Sequence, residues 1–427
     1  MSLFIEQERT IKGLRLHTIE TEKFKTNTIL MKWNAPLQKQ DATLRALLPY
    51  VLQSGTRSLP SVKQLRSHLD DLYGATFDVD LAKKGEQHVI SFKMEVANEK
   101  FLSDQTPLLQ KAMQLFSEVI FAPYLEGNHF SEQIVEKEKR ALKQRIQAVY
   151  DDKMRYANYR LVQEMCKDEP YSLHVNGELD EVDNITSASL YKYYERVLSE
   201  DEIDLYVIGS VNSSQIEQYV SNFFSFSERN ARQSPKKNTY TVEKVNEIIE
   251  KQDVRQGKLN IGYRTKTTYA DKEYFALQVF NGIFGGFSHS KLFINVREKA
   301  SLAYYAASRL ESHKGLLMVM SGIDVQNYDQ AVNIIKEQMS AMKQGDFTDQ
   351  ELAQTKAVIK NQVLETIDHS RGLVEVLYHN VASNIHRSID EWLNGIDGVT
   401  KEEIVAVAQD VQLDTIYFLT GMEASQA

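Results

Sequence analysis

The sequence predicts an α+β protein made of two duplicated domains, each a mixed or antiparallel sheet with helices packed on one face. Three observations carry this prediction. Stretches with strand periodicity alternate with stretches of helical periodicity along the chain. The same order of stretches restarts after about residue 250, and Gly55 and Gly285 fall at the same point of the two series. Finally, 427 residues are too many for one ordinary core, so two domains of about 200 residues are expected.

Taken in order, residues 14–20 and 28–34 (LRLHTIE, TILMKWN) read as strands, followed by a helix from about Ala42 to Leu52. SGTRSLPS is a turn, and Ser61 is placed to cap the amphipathic helix SVKQLRSHLDDLYG. ATFDVDLAKKGEQHVISFKMEV alternates with period two on both arms of KKGE and reads as a hairpin. Long helices are expected over 99–121 and 129–166, with another over 187–197, and EIDLYVIGSV closes the half as a buried strand. Residues 225–250 are polar and largely without apolar period, which predicts a linker between domains 1–224 and 251–427. The second copy comes next. GKLNIGYRT is its first strand, DKEYFALQVFNGIFGG its helix with a glycine-rich exit, and HSKLFINVREKASLAYYAASRLESHKGLLMVMSGID its next helix and hairpin. Helices over 327–343 and 348–367 and the strand DTIYFLTGM complete it.

Composition narrows the function. A net charge of -9 and no dense Lys/Arg run argue against a nucleic-acid partner. The single cysteine, Cys166, excludes an intramolecular disulfide and fits a reducing compartment. Its acidic setting, QEMCKDE, disfavours a reactive thiolate. The N-terminus has no apolar core of a secretory signal, and no run nears the ~18 apolar residues of a membrane span. A cytoplasmic protein is expected.

GGFSHSKLFINVREKASLAYY, QIVEKEKRALKQRI and GEQHVISF, in that relation to the duplicated plan, resemble the pitrilysin/insulinase family of zinc metallopeptidases over essentially the whole chain. Within it they are most similar to the YmfF-type branch, which lacks the zinc motif. The resemblance implies the mitochondrial-processing-peptidase/LuxS-like metallohydrolase type of fold, two such domains forming a clamshell.

Active members of that family carry His-x-x-Glu-His on a helix. Residues at i and i+4 share a helix face, so two imidazoles can grip one Zn²⁺, while the Glu reaches the metal-bound water as general base. The matching stretch here is Ala46-Leu47-Leu48-Pro49-Tyr50, ending shortly before Gly55-Thr56. Ala46 and Tyr50 replace the two histidines and Pro49 replaces the base. Ala and Pro offer no donor, and a neutral Tyr is a poor zinc ligand. The family's paired glutamates of the distant helix map to Glu138, which remains, and to Arg145, which stands where the third ligand belongs. A guanidinium repels a divalent cation. One further idea is that Arg145 fills the vacated cavity and pairs with Glu138. No two of the ten histidines are spaced at i,i+3 or i,i+4, so His88 and His289 read as ordinary polar residues.

The resemblance also implies that the second domain of active members donates an Arg and a Tyr, seven residues apart, to the bound peptide. These match Arg297 and Tyr304 in REKASLAY. A phenol O–H can donate to an oxyanion and an Arg can grip carbonyls. The plain alternative makes Arg297 a surface charge and Tyr304–Tyr305 core aromatics. The expectation is therefore a chain with no catalytic residues and no metal of its own. It would be the substrate-binding subunit of a heterodimer whose homologous partner carries the zinc and processes peptides. The alternative is a peptide-binding or scaffold clamshell without proteolysis.

Overall fold

A computed structural model of the chain describes residues 4–103, 106–226 and 240–421. They form two compact units. The first comprises Met1–Ala148, Leu173–Pro235 and Ile367–Glu375, the second Val149–Ser172, Lys236–Thr366 and Val376–Ala427.

The first unit begins with strands β1 (Glu6–Ile11), β2 (Leu14–Glu20) and β3 (Thr26–Pro36), then helices α1 (Lys39–Leu52) and α2 (Val62–Asp71). Ser61 Oγ accepts from the Gln64 N–H, so the expected cap is present. The hairpin β4 (Thr76–Lys84) and β5 (Gln87–Ala97) comes next, with α3 (Leu108–Phe121), the short pair β6 (Leu125–Glu126) and β7 (His129–Phe130), and α4 (Glu132–Asp151). The helix expected over 129–166 is broken. Asp152 accepts from the Met154 and Arg155 N–H groups and caps a new helix, α5 (Lys153–Met165). Helix α6 (Ser187–Glu200), strand β8 (Glu202–Gly209) and helix α7 (Ser213–Phe223) close the unit. Its sheet runs β1-β2-β8-β3-β5-β4, antiparallel except for β2 with β8. Alternation along β3 sends Ile29, Met31 and Trp33 into the helical core.

The second unit has a sheet of order β11-β12-β10-β13-β9, built from β9 (Asn246–Lys251), β10 (Gly257–Arg264), β11 (Ala303–Glu311), β12 (Leu316–Ile323) and β13 (Gln412–Thr420). Helix α8 (Tyr274–Asn281) precedes two π-helical turns, Gly282–Gly286 and Phe293–Lys299. Helices α9 (Tyr328–Gln344), α10 (Asp349–Thr366), α12 (Ile389–Gly398) and α13 (Lys401–Gln409) complete the helical layer, and α11 (Ser370–Ser383) begins in the first unit and ends in the second. A Cβ on Gly285 would lie 2.6 Å from Ser308 Oγ, so the glycine lets this turn approach β11.

The units do not coincide with the contiguous halves 1–224 and 251–427. Helix α5 packs on β10 and β13 of the second sheet, where a Cβ on Gly262 would meet Met165 Sδ at 2.5 Å. Arg264 pairs with Glu169 and Asp414, and Lys314 with Glu169, fastening the same segment. Conversely, Ile367–Glu375 packs on the first sheet, where Glu375 meets the buried Lys32 at 2.6 Å and Ser370 bonds Thr28 at 2.7 Å. Each sheet is thus covered on its second face by residues from the other half of the sequence. Of the expected linker, 227–239 lies outside the described residues, and Asn246–Lys251 is a strand paired in parallel with β13.

Candidate functional site

Helix α1 carries the positions where the resemblance places a metal. Ala46, Leu47 and Leu48 have no exposed surface and pack in the core, and Pro49 lies inside the helix. One residue earlier, Arg45 is fully buried. It pairs with Asp201 at 2.6 Å and donates to the carbonyls of Trp33 (2.7 Å) and His88 (3.0 Å) and to the Tyr193 hydroxyl (3.3 Å). This network, which the sequence reading did not single out, fixes α1 against β3, β5 and α6. Buried charges survive only with such full pairing.

Tyr50, half-buried, faces α4. The Arg145 guanidinium lies 3.7 Å from the centre of its ring, a cation–π contact. Among the described residues Arg145 Nε and Nη2 have no acceptor, and no ion pair joins Arg145 to Glu138. The guanidinium therefore rests on the tyrosine and not on the carboxylate seven residues before it. Glu138 instead accepts from Lys137 Nζ (2.9 Å) and Ser54 Oγ (3.3 Å). Burial lowers the Arg145 pKa from its ordinary value, against the opposing pull of Tyr50 and Glu138. Burial raises that of Tyr50, with Arg145 opposing. Both groups keep their neutral-pH forms, a phenol and a cation. Beside them a cavity of about 260 Å³ is lined by Tyr50, Gln53, Ser54, Arg66, Phe77 and Glu138.

These residues do not fit zinc. Two of the four positions have no donor, one is a phenol, and one presents a fixed positive charge. Among the described residues no group of three or more His, Cys, Asp or Glu is placed to hold a metal ion. His88 is buried on β5, and burial and Arg45 hold its pKa well below the usual histidine range. His289 bonds Thr355 Oγ1 at 2.9 Å and stacks on Phe287. Cys166 is buried against Tyr171 and Leu316.

The other expected pair is placed differently. Tyr304 is 76% exposed and so is no core aromatic. The register between β11 and β12 jumps from Ala303–Ile323 to Tyr305–Gly322, which leaves Tyr304 as the extra residue of a β-bulge. Bulges re-aim a side chain that regular alternation would place elsewhere. Arg297 sits in the second π-helical turn with its side chain 41% exposed and its guanidinium 4.5 Å from the Phe293 ring. Between them Ser301 adopts φ +52°, a left-handed conformation costly for a residue with a Cβ. Three unusual backbone features thus fall within residues 293–304, around these two side chains. Neither the π turn nor the bulge has a sequence signature that reading residue by residue could have found.

Comparison with known proteins gives the class, that of inactive metallopeptidase homologues. Residues 184–359 match the family model described as peptidase M16 inactive domain. Over all 427 residues, covering the whole of both chains, the sequence is 57% identical to the "probable inactive metalloprotease YmfF" of Bacillus subtilis. The crystal structure of a conserved protein from Enterococcus faecalis superposes with a TM-score of 0.92 at 34% identity, covering 99% of this chain and 100% of that one. A protease from Helicobacter pylori shares the fold at 16% identity, with a TM-score of 0.82 over 98% of this chain and 100% of its own. The chain belongs to the peptidase M16 family and is a homologue of its inactive members.

Proposed function

We propose that this chain is the non-catalytic, substrate-contacting subunit of a heterodimeric zinc peptidase that processes peptides in the cytoplasm. One observation carries the reading. The positions expected to hold zinc are filled by core, proline and a guanidinium, while Arg297 and Tyr304 are presented outward by a strained backbone. Strain at a site kept by its surroundings points to use. The first sheet adds support for peptide contact. Its outer strand β4 has no strand neighbour on its far edge among the described residues. There Gln53 Nε2 donates to the Phe77 carbonyl (2.7 Å), and the Leu81 N–H donates to Asp80 Oδ1 (2.9 Å). Extended peptides bind by replacing such side-chain caps with main-chain bonds. The cation that polarises the scissile carbonyl would come from a homologous chain with an intact His-x-x-Glu-His helix. Among the described residues no helix is long and apolar enough to cross a membrane.

The test is co-purification with such a homologue encoded in the same genome, then assay with an internally quenched peptide. Turnover by the pair and none by either chain alone is the expected result. A pair that forms but hydrolyses nothing would overturn the peptidase role and leave a scaffold.

A further inference from the structure

The turn Phe293–Lys299 is π-helical, closing wider rings than an α-helix, and such turns persist only where something holds them. Asn295 lies within it. Its Nδ2 donates to the Lys291 carbonyl at 3.0 Å and to Gln338 Oε1 of α9 at 2.8 Å. The Lys291 carbonyl is the acceptor that the N–H of residue 295 would take in an α-helix. The side chain therefore adds a second donor to that carbonyl, and its bond to Gln338 tethers the start of the turn to a neighbouring helix. Downstream, the Leu302 N–H donates to the Val296 carbonyl at 3.1 Å, and both side chains are buried. That bond ties the backbone just before Arg297 to the backbone just before the bulge at Tyr304.

We infer that Asn295 is the positioning residue of the outward-facing pair. Tethering the start of the wide turn to α9, it fixes the direction of Arg297 directly and of Tyr304 through the Val296–Leu302 bond. Loss of the register by one residue would rotate the downstream side chains by about 100° around the helix axis. Phe293 backs the Arg297 guanidinium, whose Nε lies 3.9 Å from Glu298 Oε1. Asn295 touches no substrate and acts only through these two side chains.

The inference rests on the substrate-contact reading, and the experiment separates the two. The complex of the full chain with its zinc-bearing homologue is assayed on an internally quenched extended peptide. Five variants are compared: Asn295→Leu, Asn295→Gln, Gln338→Leu, Arg297→Ala and Tyr304→Phe. Asn295→Leu, similar in size but without the donor, is expected to lower kcat/KM about ten- to a hundredfold, as misplacement of a contacting group does. The loss should fall mainly in kcat. Asn295→Gln, which keeps the amide, should recover most of it. Gln338→Leu, which removes only the tether and leaves the turn's own residues intact, should fall between. Wild-type turnover with Asn295→Leu and Gln338→Leu, beside slow Arg297→Ala and Tyr304→Phe, overturns the inference and leaves the reading standing. Full turnover with Arg297→Ala and Tyr304→Phe, or none by the wild-type pair, overturns both.

Discussion

His17 is buried on β2 between Glu6 (2.8 Å) and Asp204 (3.0 Å) and lies flat on the Tyr206 ring. Burial by itself lowers its pKa, but the hydrogen bonds and charges of Asp204 and Glu6 outweigh it and raise the value from 6.5 to about 9. A raised pKa stabilises the fold fully below the unfolded value and loses that contribution as pH climbs through the folded one. Stability should therefore drop by about 3 kcal/mol between pH 6.5 and pH 9, and His17→Asn should flatten that slope in urea titrations. Arg45 makes the opposite kind of test, since it is always charged. Arg45→Met would leave Asp201 buried without its cation, and a loss of about 3–5 kcal/mol is expected from denaturant melts. A loss below 1 kcal/mol would mean that Asp201 takes up a proton or reaches water. Tyr304→Phe removes one exposed hydroxyl. It should leave the melting temperature unchanged while slowing turnover of the proposed heterodimer about a hundredfold, the ordinary cost of a missing oxyanion donor.

Helix α1 is held by packing and by one contact across to α4. The core residues Ala46, Leu47 and Leu48 are packed, and Arg145 of α4 closes on Tyr50. If the positions are matched correctly, the combined variant Ala46→His, Pro49→Glu, Tyr50→His and Arg145→Glu should bind zinc near one equivalent by elemental analysis. Arg145→Glu alone should bind none. Absence of zinc from a folded combined variant would show that these four positions do not converge. Much at this scale was legible beforehand. Ser61 announced the start of α2, and the alternation on either side of KKGE gave β4 and β5. Asp152 was missed because the helical period runs unbroken through it, and only its side chain on two N–H groups reveals a cap. The candidate site rests on the resemblance, in which histidine and glutamate at fixed spacing mark the positions that Ala46, Pro49 and Tyr50 occupy. The placement of Arg297 and Tyr304 was harder to read. The exposure of Tyr304 depends on one extra residue in a strand pairing, and the sequence of β11 alone does not record its partner's register.

At the scale of the molecule, duplication was visible in the repeated order of segments, but the division into units was not. Nothing in the periodicity of 149–172 says which sheet its apolar face will cover, because helical amphipathicity names a buried side and not a partner. The structure gives α5 to the second sheet and Ile367–Glu375 to the first. Separately expressed fragments 1–226 and 240–427 should therefore fail to fold alone by circular dichroism and near-ultraviolet spectra. Lys32 would be left as a buried cation without Glu375, and α5 would have no sheet beneath it. Independent cooperative melting of the first fragment would contradict that exchange. The same exchange sets a clock on the ribosome. The last strand of the first sheet ends at Gly209, but Glu375 is made 166 residues later, roughly ten to thirty seconds at ordinary rates of synthesis. For that interval the nascent chain carries all six strands of the first sheet while the Lys32 ammonium group still waits for Glu375.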